Sequence, residues 1–192
     1  MSDKKYQVFI SSTFADLVDE RRKVLDILLM ADCIPAGMEA FVATDNEQFE
    51  VIKKVIDLCD YYILIIGKRY GSVNPDTEIS YTEMEYDYAK SRGVPVLVFA
   101  IDDSVILPDE KQEQDEKKIE SLKNFRNKAM ADRLASIWKN TEELTNKLAI
   151  SIMKAKSEIK RPGWRRGTDC DETALSEIRE LSYIRVLSDD EK

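Results

Sequence analysis

Six consecutive residues, Tyr61-Tyr62-Ile63-Leu64-Ile65-Ile66, carry no charge. Side chains on a strand alternate between two faces, so a strand can be apolar throughout only where both faces are covered. That requirement points to a parallel sheet sandwiched between helices. The neighbouring segments agree. Residues 6–10 form a short β-branched and aromatic run that leads into Ser11-Ser12-Thr13, read as a loop. Over residues 16–30, Leu17, Val18, Val24, Leu25, Ile27, Leu28 and Leu29 recur at helical spacing. Residues 34–41 read as a second strand and 46–59 as a second helix. Gly93-Val94-Pro95 closes a third helix before another buried strand over 95–101. Strand and helix alternating in this way predict an α/β fold, a doubly wound parallel sheet of about five strands. Ligands of such sheets collect at the C-terminal edge of the strands, where Ser11, Glu39, Gly67 and the loop to Tyr81 fall.

The second half is read more coarsely. Residues 109–130 are strongly charged, with Ile119, Leu122 and Phe125 as their main apolar points, and read as a solvated helix, an insertion by character. Residues 134–138 read as a last strand, Asn140 as an N-cap, and 141–159 as a long amphipathic helix. Beyond Arg166 the character changes, and Leu175, Ile178, Leu181 and Ile184 mark a further amphipathic segment over 171–187. The expected division is therefore one α/β domain over 1–166 and a helical tail or linker over 167–192.

Composition removes whole classes of chemistry. The chain has no histidine, which excludes Ser-His-Asp, Cys-His and histidine-metal mechanisms. Its three cysteines, Cys33, Cys59 and Cys170, are widely spaced and odd in number, so neither a zinc site nor a disulfide framework is expected. Cys33 and Cys59 read as core thiols. A net charge of -8 argues against nucleic-acid binding, which needs concentrated basic surface. One basic cluster, Lys160, Arg161, Arg165 and Arg166 around Trp164, reads either as a contact to base or phosphate or as a tail or inter-domain contact. No apolar run approaches the length of a membrane span, and the first five residues lead directly into a strand without a signal-type segment, so a cytoplasmic location is expected.

The residues with chemical promise cluster after the third strand. Ser80 is a good N-cap, and Glu83 stands at the capping-box position. Glu85 has no such duty. One turn from Tyr81 and Thr82, it projects from the start of the helix toward the preceding loop, as a nucleophile or as a stabiliser of a developing cation. The alternative is a solvated glutamate favoured by the helix macrodipole. Gly67 to Ser72 matches neither the Walker nor the dinucleotide fingerprint. Arg69 either clamps a phosphate, with Tyr70 stacking on a base or ribose, or bonds loop carbonyls. Ser11 and Ser12 turn hydroxyls toward the crevice, Thr13 or Asp16 caps the first helix, and Arg21 reads as part of a charged helix face. Glu39, near the end of the second strand, occupies the place where such sheets read a ribose hydroxyl.

Val8-Phe9-Ile10-Ser11-Ser12-Thr13-Phe14 with Asp16-Leu17 and Glu20-Arg21, then Pro35-Ala36-Gly37-Met38-Glu39-Ala40-Phe41, Gly67-Lys68-Arg69-Tyr70-Gly71 and Ser80-Tyr81-Thr82-Glu83-Met84-Glu85-Tyr86, resemble the bacterial domain of unknown function 4062. The resemblance covers about residues 5 to 166, with Gly163-Trp164 at the family's usual boundary. It implies an N-terminal domain of larger proteins, including STAND-type NTPases of defence and signalling, and the tail from Thr168 fits such a junction. The domain is similar in turn to TIR domains and nucleoside 2-deoxyribosyltransferases, which share a flavodoxin-like sheet. The deoxyribosyltransferases' Thr-x-x-Glu-x-x-x-Ala helix opening is here Thr82-x-x-Glu85-x-x-x-Ala89, and TIR NAD hydrolases carry a glutamate at the equivalent place on the helix. That resemblance implies a TIR-like hydrolase cleaving an N-glycosidic bond of NAD or a related nucleotide, in antiviral defence or signalling. Glu85 would be catalytic. Ser11, Ser12, Glu39, Gly67, Arg69, Tyr70, Gly71, Tyr81 and Thr82 would bind substrate, with Tyr70, Tyr81 and Ser11 around the ribose and Arg69 near phosphate. No metal or cofactor is required by such chemistry. The rival expectation is a non-catalytic module for oligomerisation or nucleotide sensing. The partners expected are a second copy or a downstream signalling module, with no nucleic acid and no membrane.

Overall fold

The computed structural model describes residues 4–37, 46–131 and 134–165, with backbone alone for 46–48. In chain order it contains β1 (Tyr6–Ser12), α1 (Val18–Met30), β2 (Cys33–Gly37), α2 (Asn46–Asp57), β3 (Tyr61–Ile66), α3 (Tyr81–Ser91), β4 (Val96–Ile101), α4 (Glu116–Met130), β5 (Ala135–Trp138) and α5 (Thr141–Glu158). The strands form one sheet in the order β2-β1-β3-β4-β5, with every pairing parallel. This is the doubly wound α/β order of flavodoxin-like proteins, and it places the topological switch point between β1 and β3.

β3 and β4 are buried at every position, as unbroken apolar strands in the middle of a parallel sheet should be. The pleat divides the core in two. Val8, Ile10, Ile63, Ile65, Leu97 and Phe99 face Val24 and Leu28 of α1 and Leu144, Leu148 and Ile152 of α5. Phe9, Tyr62, Leu64, Val98 and Ala100 face Ile52 and Ile56 of α2, Tyr86 and Ala89 of α3, and Phe125 and Ala129 of α4. Two polar atoms carried into the first of these layers find partners: Tyr61 Oη donates to the Ile159 carbonyl at 2.8 Å, and Trp138 Nε1 to that of Phe99 at 3.2 Å. Cys33 and Cys59 are both buried free thiols.

Several boundaries differ from the sequence reading. β1 continues through Ser11 and Ser12, which lie in register with Leu64 and Ile65 of β3. They are strand residues because the neighbouring strand extends far enough to bond them. α1 starts at Val18 behind Leu17, and no side chain caps it, so neither Thr13 nor Asp16 has the capping role their positions suggest. The charged stretch expected as an insertion is an integral crossover from β4 to β5. A 3-10 turn at Asp109–Lys111 precedes α4, which buries Phe125 and Ala129 against the sheet while Ile119 stays exposed. β2 is described to Gly37, so the expected continuation to residue 41 lies outside the described residues.

Residues Tyr6–Pro162 form one compact unit, and the described residues Lys4, Lys5 and 163–165 belong to a second. Within the second, Lys5 and Trp164 exchange backbone hydrogen bonds at 2.9 and 2.6 Å as an antiparallel bridge. Arg166, Cys170 and the amphipathic segment over 171–187 lie outside the described residues. Among the described residues no helix is long and apolar enough to cross a membrane.

Candidate functional site

The loop after β3 comes unusually close to the loop after β1, and glycine permits it. A Cβ on Gly67 would lie 2.6 Å from Asp16 Oδ2, and one on Gly71 would lie 2.8 Å from Thr13 Cγ2. The loop is pinned from its other side by the segment leading into α4. Lys68 Nζ donates to the carbonyls of Asp103, at 3.0 Å, and Val105. The Lys68 carbonyl accepts from the Glu113 amide at 2.8 Å, and Arg69 Nη1 donates to the Glu110 carbonyl at 3.3 Å. Asn74 then shapes the approach to α3, with its Oδ1 accepting from the amides of Asp76 and Thr77 at 2.8 and 3.3 Å. Ser80 caps α3 by accepting from the Glu83 amide at 3.2 Å.

The Glu83 carboxylate does not complete a capping box. It accepts from Tyr70 Oη at 2.7 Å and from Lys128 Nζ at 3.0 Å. Two residues further on, Glu85 turns inward to the end of β1. It is 1% exposed, Ser11 Oγ donates to its Oε2 at 2.5 Å, and its Oε1 has no hydrogen-bond partner. The pleat sends Ser11 toward α3 and its neighbour Ser12 toward α1, where buried Arg21 donates through Nη1 to Ser12 Oγ at 2.8 Å. Burial pushes the Glu85 carboxyl up to about 7, opposed by the Ser11 hydrogen bond and by the positive charge of Arg21. Tyr62 Oη, fully buried and without a hydrogen-bond partner, completes the surroundings. Burial first, and the Glu85 charge second, raise its pKa well above the ordinary tyrosine value.

The structure thus joins Ser11 to Glu85, residues 74 apart in sequence, and places Ser12 beside them on the opposite face of β1. Tyr81 and Thr82 are half-buried in the first turn of α3, with the Tyr81 amide donating to the Ser72 carbonyl at 3.0 Å. Gly67, Arg69, Tyr70 and Gly71 lie along the adjoining loop, where Tyr70 is buried with its hydroxyl on Glu83 rather than Glu85. Glu39 lies outside the described residues. Sequence reasoning passed over Tyr62, Arg21 and Asp16 as members of the site. Arg21 carried a signal, since it shares a helical stripe with Val24 and Leu28, the buried face of α1. A cavity of about 580 Å³ lies at the other edge of the sheet, against Val94, Pro95, Leu134, Lys154 and Ile159, remote from these groups.

What this arrangement can do follows from the Glu85 carboxylate. One oxygen is held by a hydroxyl and the other is free, in surroundings dry enough to raise the carboxyl to about 7. Such a group can attack an electrophilic carbon, stabilise a cation or move a proton.

The family model Domain of unknown function (DUF4062) matches residues 7–153. No curated protein matches the chain. Similar solved structures include the CMP N-glycosidase BcmB of Clostridium botulinum, at 14% identity and TM-score 0.45 over 75% of this chain and 98% of that one. A diflavin flavoprotein A3 from Nostoc sp. aligns at 12% identity and TM-score 0.44 over 83% and 100% of the two chains. The TIR domains of the activated Roq1 resistosome align at 12% identity and TM-score 0.42 over 92% and 99%. At these scores the likenesses assign no activity.

Proposed function

The chain belongs to the DUF4062 family, and from that premise we propose that it is a TIR-like enzyme of bacterial defence or signalling that cleaves the N-glycosidic bond of NAD or a related nucleotide. The observation that carries the reading is the Glu85 carboxylate, buried and half-bonded at the C-terminal edge of the sheet beside the switch point. A buried carboxylate kept for structure is normally fully paired, and one left with a bare oxygen at the ligand-binding edge of a doubly wound sheet is a functional candidate. Ala89 supports it by position: it is fully buried against the sheet, on one side of the same helix that carries Glu85.

Ser11 holds Oε2, so Oε1 is the atom that meets the anomeric carbon. In the ionised form Oε1 stabilises the oxocarbenium-like transition state, or forms the C–O bond as the C–N bond breaks. The electron pair of the broken bond leaves with the base. Nicotinamide departs neutral, whereas a nucleobase takes up a proton. Water then adds its hydroxyl to the anomeric carbon and frees the carboxylate, and its other proton goes to solvent when nicotinamide leaves or balances the one that a nucleobase takes up. Arg21, fixed on Ser12, supplies positive charge that holds Glu85 partly ionised.

The test is to incubate concentrated protein and its Glu85→Gln variant with NAD and a nucleotide panel, and to follow release of nicotinamide or free base by chromatography. Release by the wild type and loss of it in the variant is the expected outcome. A release rate that Glu85→Gln leaves unchanged overturns the reading.

A second reading, a non-catalytic interaction or nucleotide-sensing module, has one observation in its favour. α5 carries Ile150 and Met153 on its solvent side, both exposed by about two thirds, although its opposite side is fully packed. An assembly module would tolerate Glu85→Gln and lose self-association when Ile150 or Met153 becomes Asp.

A further inference from the structure

Besides Glu85, Asp16 carries a deeply buried carboxylate at the same edge of the sheet. It is 2% exposed, and both of its oxygens lack a hydrogen-bond partner. Thr13 Oγ1, in the same loop between β1 and α1, is also buried and unpartnered. The carboxylate reaches over Gly67, into the space a Cβ would fill, with Leu17 on its flank. That is the region above the ends of β1 and β3, the switch point at which doubly wound sheets hold ligands. The ordinary structural role for an acid here is empty, since no side chain caps α1. Burial raises the Asp16 carboxyl, opposed by the nearby Thr13 hydroxyl and its own backbone amide, which lie close without reaching hydrogen-bond geometry, and by the charges of Arg69 and Lys111. A buried acceptor left unpaired is costly, and that cost is offset when a ligand supplies the donors.

The form of the acceptor limits the ligand. Two free oxygens on one carboxylate match two O–H donors on adjacent carbons. A neighbouring hydroxyl can bond a third sugar oxygen, and two cations within electrostatic reach suit a phosphate. We infer that Asp16 and Thr13 form the sugar subsite, with the Asp16 oxygens receiving the vicinal 2′- and 3′-hydroxyls of a ribonucleotide, so that the substrate class is ribo- rather than 2′-deoxyribonucleotides. This inference rests on the glycosidase reading of Glu85. A 2′-deoxy sugar leaves one Asp16 oxygen unpaired in a buried place, which disfavours it.

The experiment is isothermal titration of the full chain carrying Glu85→Gln, which prevents turnover, with the four ribonucleoside 5′-monophosphates, NAD, and the 2′-deoxynucleoside 5′-monophosphates. The expected preference for ribose over 2′-deoxyribose is about tenfold or more, the worth of a hydrogen bond to a charged group. Asp16→Asn should reduce it to within about twofold, and Thr13→Val should narrow it, with circular dichroism unchanged. Thr13→Val decides the matter where Asp16→Asn does not fold. Equal affinity for the two sugars, a preference that the Asp16 and Thr13 variants leave intact, or no binding of any nucleotide overturns the inference. In each of those cases the Glu85-dependent base release of the wild type is judged separately. A ribose preference removed by Asp16→Asn in a protein whose wild type releases no base keeps the subsite and overturns the glycosidase reading.

Discussion

At the scale of single residues, the cost of keeping Glu85 where it is becomes measurable through pH. Its folded pKa of about 7 lies above the ordinary glutamate value of 4.5, chiefly because of burial, with Ser11 and Arg21 acting in the opposite sense. Below pH 4.5 the side chain is protonated in both folded and unfolded chains and carries no penalty. Between 4.5 and 7 the unfolded chain ionises first, and stability falls as pH rises. Above that window the full penalty stands, on the order of 3 kcal/mol. Glu85→Gln is therefore expected to match the wild type near pH 4.5 and to exceed it by up to about 3 kcal/mol at pH 8. Urea denaturation of both proteins across that range reads the difference directly, and a gap that does not change with pH would refute the burial argument. The position of Glu85 on a helix start was legible in the sequence. Its desolvation was not, because burial depends on Ser11, Tyr62 and Arg21, which arrive from three other elements.

At the scale of elements, caps and periodicity did most of the specification. Asn140, read as the N-cap of α5, accepts from the Glu143 amide at 2.9 Å and is exposed. Asn140→Ala should cost about 1 kcal/mol of stability, and Asn140→Asp almost nothing. Thermal denaturation should show both effects with base release unaltered. Ser80 was legible as a cap in the same way. Glu83 was only half legible: its amide meets Ser80, but its carboxylate is taken by Tyr70 and by Lys128 from α4. A capping box is a local preference, and a buried tyrosine hydroxyl together with a lysine ammonium, both brought to the carboxylate by tertiary packing, outweighs it. α4 was misjudged for a related reason. Its many charges describe its solvent face, while Phe125 and Ala129, on one short stripe, attach it to the sheet.

At the scale of the whole molecule, burial on both sides of the sheet should grade the response to truncation. Leu64→Ala in central β3, fully buried, is expected to cost about 2–5 kcal/mol. Ile137→Ala in edge strand β5, where the side chain is 42% exposed, should cost less than about 1 kcal/mol. Urea midpoints of the two variants test the ranking. What the amino-acid sequence determined by itself was the kind of fold. An unbroken apolar run at period two and helices at period 3.6 are properties of short windows, and together they require a parallel sheet covered on both faces. What only the tertiary structure decided was the chemistry. The strand order brings β1 beside β3, the register carries Ser11 and Ser12 past the end of the expected strand, and Glu85 of α3, Tyr62 of β3 and Arg21 of α1 meet them there. No local pattern encodes such a meeting, because contacts between residues 74 apart depend on how whole elements pack, and it is that packing which removes water from the carboxylate.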